Sequence, residues 1–231
     1  MKNIAIIPAR CSSKGLKDKN IKKLNGIPLL AYSIKAAKDT GIFDEIMVST
    51  DSQIYADIAI KYGASVPFLR SKKQSGDNAG SWEVVSEVLG DYYKMGRDFD
   101  TVCLLQPTSP LRQPEDIEGG YEQLKQMGAD AITAVCEMDH SPLWAMVLPD
   151  NKSLVSFRET LQNVPRQKLE KYYRINGALY IKKISYEKPN IKLLALKEYA
   201  YIMDRNRSID IDVEDDFLMA EFYMQKDKTI C

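Results

Sequence analysis

Short apolar runs alternate with amphipathic stretches along nearly the whole of this sequence, and that alternation admits few architectures. Asn3–Pro8 reads as a buried strand, Leu29–Thr40 has helical apolar spacing, and Gly41 stands where that helix stops. Glu45–Ser49 reads as a second strand. Ser52 is placed to cap a helix through Tyr62 with Gly63 as its stop, and Ser81–Met95 is an amphipathic helix ending before Gly96. Thr101–Leu105 is a strand leading into a Pro-rich turn. Pro114 suits the first turn of a helix reaching Met127, and Ala131–Val135 is apolar and partly β-branched. Strands separated by helices of about 10–15 residues imply βαβ units and a mostly parallel sheet with helices on both faces. Ligands of such sheets bind at the carboxyl ends of the strands. From Ser141 to Arg174 the alternation lapses into a polar, Pro-punctuated stretch, then returns with strand Ala178–Lys182 and a helix over Val213–Gln225. A single α/β domain over residues 1–231, with 141–174 inserted, accounts for this better than two domains.

Composition removes several function classes. Lys plus Arg total 32 and Asp plus Glu total 32, so no net field draws in a polyanion or an anionic membrane, and no nucleic-acid partner is expected. The one histidine, His140, precedes Ser141-Pro142 and reads as a loop entry, which leaves the chemistry to carboxylates, Lys, Arg and backbone dipoles. Cys11, Cys103, Cys136 and Cys231 form no CxxC pair and no disulfide framework, which points to a reducing cytoplasm. No stretch approaches the roughly 18 apolar residues of a membrane span, and Ile4–Ile7 is too short for a signal peptide. Locally the charge is uneven. Residues 1–25 carry seven cations against Asp18 alone, and residues 204–221 carry seven acids against Arg205 and Arg207. That distribution suits a phosphate-binding end and a metal-binding end.

The first strand empties into a loop from Pro8 to Asn20 with small residues, Gly15 and the cations Arg10, Lys14, Lys17 and Lys19. Such a loop offers a polyphosphate backbone N–H groups and fixed positive charge, although GxxxxGK[ST] and GxGxxG are both absent. Cys11 lies within it, where cationic neighbours lower a thiol pKa. Gln106 ends the central strand, where an α/β sheet presents substrate-facing groups. Pro107 and Pro110 read as turn makers, and Arg112 suits either a structural ion pair or a substrate contact. Asp210 and Asp212 share one face of an extended segment and are placed to share a hard cation such as Mg²⁺. The competing reading makes Asp212 the cap of the helix that follows and leaves Asp210 exposed.

The run Ile7-Pro8-Ala9-Arg10 through Ser13-Lys14-Gly15 to Lys19-Asn20 resembles the signature of the acylneuraminate cytidylyltransferases, the enzymes that make CMP-sialic acid. Four further blocks agree: Val48-Ser49-Thr50-Asp51, the stretch Leu105–Arg112, the stretch Arg174–Tyr180, and Ser208-Ile209-Asp210-Ile211-Asp212. They lie in the family's order and span nearly the whole chain. The resemblance implies a Rossmann-like nucleotidyltransferase domain that transfers CMP from CTP to the anomeric hydroxyl of a nonulosonic acid sugar and releases pyrophosphate. It implies a cytoplasmic homodimer, with the inserted segment between subunits and Tyr172 and Tyr173 suited to that interface. Arg10 and Lys19 would hold the triphosphate, Asn20, Arg70 and Ser81 the rest of the nucleotide, and Asp210 and Asp212 a Mg²⁺ ion. Gln106, Arg166, Arg174 and Tyr180 would face the sugar, Arg166 before Arg174 as the bidentate partner of its carboxylate. Ser81 also suits a helix N-cap, Arg70 a surface arginine and Tyr180 a core aromatic. Ser12 stands where the family usually has Gly, a departure that bears on the phosphate loop. Legionaminic, pseudaminic or 3-deoxy-octulosonic acid as the sugar, GTP as the donor, and a non-catalytic nucleotide-sugar binder are the alternatives.

Overall fold

A computed structural model describes residues 1–11, 15–71, 76, 80–160, 169–187 and 190–229. The chain opens with strand β1 (Asn3–Pro8), a 3-10 turn at Lys19–Ile21, and a short hairpin of β2 (Lys23–Leu24) and β3 (Ile27–Pro28). Helix α1 (Leu29–Thr40), strand β4 (Glu45–Ser49), helices α2 (Gln53–Lys61) and α3 (Ser81–Lys94), strand β5 (Thr101–Leu104), helix α4 (Pro114–Gln126) and strand β6 (Ala131–Glu137) follow. After a 3-10 turn at Pro142–Trp144 come α5 (Val155–Thr160), β7 (Tyr173–Glu187), β8 (Asn190–Leu193), β9 (Glu198–Ile202) and α6 (Glu214–Thr229).

Local signals explain most of these boundaries. Gly41 stops α1 at φ 64°, a left-handed conformation that glycine enters without strain. Pro114 begins α4, whose capping box pairs Gln113 with Asp116. The strand alternation of β1 sends Ala5 and Ile7 to one face of the sheet and Ile4 and Ile6 to the other. The first face packs on Leu30 and Ile34 of α1, Tyr55 of α2, and Ile117 and Tyr121 of α4; the second packs on Val85, Val88, Leu89 and Tyr92 of α3. Each such Ile or Leu contributes roughly 1.5–3 kcal/mol through burial, so both faces are firmly covered.

The strand order is β4-β1-β5-β7-β6-β9, with β8 pairing the far end of β7. β4, β1 and β5 run parallel, as do β6 and β9, whereas β7 runs antiparallel to both β5 and β6. The sheet is therefore mostly parallel with one reversed central strand. Reversal has a direct consequence for chemistry: the first half of β7 lies at the carboxyl ends of its neighbours, with Leu104 opposite Tyr180 and Cys136 opposite Arg174. β7 is also longer than the expected Ala178–Lys182. Its first residues carry no apolar run, and pairing to β6 past an irregularity at Thr133/Val135 holds them extended.

Within the expected insertion, the structure shows the 3-10 turn, α5 and the first residues of β7. Leu143, Trp144, Met146 and Leu148 are exposed there, and Val147 is 95% exposed. Among the described residues no helix is long and apolar enough to cross a membrane.

Candidate functional site

A cleft of about 480 Å³ opens at the carboxyl ends of β1 and β5. The β1 loop forms one wall and is pinned at several points. The Cys11 amide donates to Asp51 Oδ1 at 2.9 Å, and Tyr55 donates to Asp18 Oδ1 at 3.1 Å, holding Asp18 at φ 53°. The Asn20 amide donates to the Arg10 carbonyl at 3.0 Å and closes the loop on itself. Arg10, Lys19 and Asn20 consequently face the cleft as one group.

The opposite wall is the acidic segment before α6. The Ile211 amide donates to the Thr108 carbonyl at 2.8 Å, which ties this segment to the turn after β5. Lys19 Nζ reaches across to the Ile211 carbonyl at 2.6 Å and to Asp212 Oδ1 at 3.0 Å. Gly15 is a close approach of the same kind, since a Cβ there would lie 3.0 Å from the Asp212 carbonyl oxygen. Asp216, in the first turn of α6, reaches back over the helix start: its Oδ2 accepts from the Asp212 and Val213 backbone amides at 2.7 and 2.9 Å. The Asp212 carboxylate is thus left for the cleft.

Asp210 is more enclosed. Burial raises its carboxyl above the usual range, and the charge of Asp212 adds to this, while a hydrogen bond from Thr108 and the cations Lys19 and Arg174 oppose it. Asp210 thus feels the charge of Asp212, and the two carboxylates make an acid pair suited to a divalent cation. No group of three or more His, Cys, Asp or Glu occurs among the described residues, and Mg²⁺ in nucleotide sites needs only one or two carboxylates beside substrate phosphates. The residues present fit such an ion.

Arg70 and Ser81 line the same cleft. Arg70 is buried rather than an ordinary surface arginine: Nε donates to Ser49 Oγ at 3.1 Å and Nη2 to the Ser49 carbonyl at 2.6 Å. Burial lowers its pKa, against the pull of Asp51 and Glu87. Ser81 is the first residue of α3, with Gly80 in the cap position, so its hydroxyl makes no cap and lines the cleft. Gln106 lines it from the β5 end. Arg174 and Tyr180 stand beside this group on β7. Arg174 donates to the Ser208 carbonyl at 3.2 Å, and Tyr180 packs edge-on against Trp82 with ring centroids 6.0 Å apart. Arg166 and Ser12 lie outside the described residues.

Of three further residues, Arg112 departs from both of its readings, Cys11 is the small loop residue and not a reactive thiol, and His140 lies in a loop as expected. Cys11 is no activated thiol: burial raises its pKa, as do the charge and hydrogen bond of Asp51, and these outweigh a backbone hydrogen bond that lowers it. Arg112 neither pairs with an acid nor faces the cleft. Its buried guanidinium donates to the carbonyls of Ala178 at 2.5 Å and Gln106 at 2.8 Å and to Ser33 Oγ at 3.1 Å, bolting β7, the β5 turn and α1 together. His140 is exposed in a bend after β6. Thr108, Gly177 and Asp216 were not singled out by sequence; only the Asp216 position, four residues after Asp212, carried a readable cap signal.

A cation-bearing loop and an acid pair meeting at strand ends have the chemistry a nucleotide phosphate calls for on an α/β sheet. The chain belongs to the cytidylyltransferase family, whose model matches residues 4–228. It is 36% identical over 234 residues to the CMP-N,N'-diacetyllegionaminic acid synthase of Legionella pneumophila, covering 97% of each chain. It is 35% identical over 220 residues to an N-acylneuraminate cytidylyltransferase of Streptococcus agalactiae, where the match takes in 94% of this chain and 52% of that protein, about half its length. Among solved structures, a CMP:2-keto-3-deoxy-manno-octonic acid synthetase in complex with CTP superposes with a TM-score of 0.70 at 14% identity, covering 98% of this chain and all of that one, which shows a shared fold.

Proposed function

We propose that this protein transfers CMP from CTP to the anomeric hydroxyl of a sialic-acid-like nonulosonic acid and releases pyrophosphate. One observation carries the reading: the Lys19 ammonium of the first loop sits on the Asp212 carboxylate of the last acidic segment. Triphosphate chemistry needs fixed cations and a metal-binding acid at the same point. Arg10 and Lys19 bind the triphosphate and stabilise the pyrophosphate as it leaves with developing charge. Asn20, Arg70 and Ser81 orient the nucleoside. Gln106, Arg174 and Tyr180 receive the sugar, and Arg166 is assigned to its carboxylate. Asp210 and Asp212 would hold Mg²⁺, which when bound neutralises α-phosphate charge and lowers the pKa of a coordinated hydroxyl. No covalent intermediate with the protein is required.

The relatives' names support a nonulosonic acid as acceptor and CTP as donor, and their acceptors differ among sialic and legionaminic acids. Pyrophosphate release measured for CTP and GTP against N-acetylneuraminic, legionaminic, pseudaminic and 3-deoxy-octulosonic acids assigns the pair. Release with a nonulosonic acid and CTP is expected. No release with any pair would sink the reading in favour of a nucleotide-sugar binder. We further propose a cytoplasmic homodimer joined through residues 141–174, on the strength of the exposed Trp144, Met146, Val147 and Leu148. A monomeric mass by light scattering would contradict it.

A further inference from the structure

Gly177 lies on β7 between two residues whose positions are fixed. Asn176 is buried, its amide donating to Ser208 Oγ at 2.9 Å and its Oδ1 accepting from the Ala178 amide at 3.1 Å. Ala178 is buried too, and its carbonyl accepts from Arg112. Gly177 itself has φ 76°, in the region that favours glycine. A Cβ at this position would lie 2.6 Å from Gln106 Oε1, 3.6 Å from Asp210 Oδ2 and 3.7 Å from Ser109 Oγ. Side chains from the β5 turn and the acidic segment therefore converge on the one spot that a glycine leaves vacant. Ser109 Oγ there is buried with no hydrogen-bond partner in the structure described.

We infer that Gly177 is a positioning residue for the sugar-facing carboxamide: its missing side chain is what seats Gln106 against β7 beside Asp210. The inference rests on the proposed reading in which Gln106 meets the sugar. The backbone of Gln106 is held, since its carbonyl accepts from Arg112 Nη2 at 2.8 Å and from Ser33 Oγ at 3.2 Å. The β7 backbone is held as described. A methyl group at 177 is thus accommodated by one movable part, the outer end of the Gln106 side chain. The clash falls on the acceptor side, while the backbone strain of a Cβ at φ 76° falls on β7 whatever Gln106 does. The three atoms nearest this spot belong to Gln106, Asp210 and Ser109 and to none of Arg10, Lys19 and Arg70, so the first effect falls on the sugar side.

The test is a double-mutant cycle on Gly177→Ala and Gln106→Ala, with CTP and whichever nonulosonic acid the unmodified protein turns over. Gly177→Ala is expected to lower kcat/KM for the sugar by roughly 10²-fold, the usual consequence of a displacement of about 1 Å, with the CTP dissociation constant changed by less than about twofold. In the Gln106→Ala background the same substitution should have almost no further effect on the sugar. Multiplying effects, or equal loss of sugar and CTP, would overturn the inference, as would an unchanged sugar KM in Gln106→Ala. If Gly177→Ala proves too unstable to assay, melting temperatures decide. The double variant, which removes the clash and keeps the backbone strain, should melt well above Gly177→Ala, and equal melting would refute the role. Absence of turnover in the unmodified protein would instead mark failure of the proposed reaction, and the inference would fall with it.

Discussion

The ammonium of Lys19 lies 3.0 Å from Asp212 Oδ1 across 193 residues of sequence, with its side chain only 13% exposed against 76% for Asp212. This contact joins the positive end of the chain to its negative end at the floor of the cleft. The lysine must turn to a phosphate for Asp212 to serve a metal. Lys19→Met should therefore act in two opposite directions. Turnover should fall about 10²–10³-fold, as when one oriented charge-stabilising donor is removed. Mn²⁺ should bind the nucleotide-free variant more tightly than the unmodified protein, because no ammonium competes for Asp212. A Mn²⁺ titration followed by electron paramagnetic resonance reads the second effect, and weaker binding in the variant would contradict it.

Asp212→Ala should separate activity from stability. The carboxylate is mostly exposed and caps nothing, so its ion pair contributes at most about 1 kcal/mol, a shift of a few degrees or less in Tm. On the proposed metal role, its loss removes several kcal/mol of charge stabilisation, about 10²-fold or more in rate. Asp216→Ala should be the more destabilising of the two with the smaller effect on rate, because it leaves the Asp212 and Val213 amides without their acceptor at a cost of about 1–2 kcal/mol. Thermal melts beside pyrophosphate assays compare the two.

Arg112→Met should destabilise strongly although it lies outside the cleft. Methionine fills part of the volume but leaves the Ala178 carbonyl and Ser33 Oγ without the guanidinium donor and takes one donor from the Gln106 carbonyl, which keeps that of Ser33. Unmet groups of this kind cost about 1–3 kcal/mol each, so a loss of roughly 3 kcal/mol or more is expected from urea unfolding. A loss below about 1 kcal/mol would show that the bolt between β7, the β5 turn and α1 is dispensable.

Alkylation of Cys11 should be slow at pH 8. Burial chiefly, and then Asp51, hold its thiol above the ordinary range, so less reactive thiolate is present than in a free cysteine at that pH. Asp51→Asn removes the nearby anion, lowers the pKa and should speed iodoacetamide labelling severalfold, with the onset of labelling moved to lower pH. Peptide mapping distinguishes Cys11 from the buried Cys103 and Cys136. A slower rate in Asp51→Asn would reverse the assigned cause.

Local elements were legible in the sequence because their causes are local. Leu29–Thr40 and Glu45–Ser49 are found with the expected boundaries, and Pro114 begins α4 where expected, since apolar period, a stop glycine and a first-turn proline act within a few residues. The first loop and the Asp210–Asp212 pair were legible as chemistry through charge and residue type. The tertiary structure decided the rest. Periodicity fixes which face of a strand is buried but says nothing of its direction, and β7 is reversed through hydrogen bonds to β5 and β6, which are far away in sequence. That reversal alone carries Arg174, Gly177 and Tyr180 to the carboxyl ends of β5 and β6. Whether Arg112 bolts or binds, whether Asp212 or Asp216 caps, and whether Cys11 is activated likewise depended on burial and partners that meet only in the folded chain, where desolvation sets what each charge or donor is free to do.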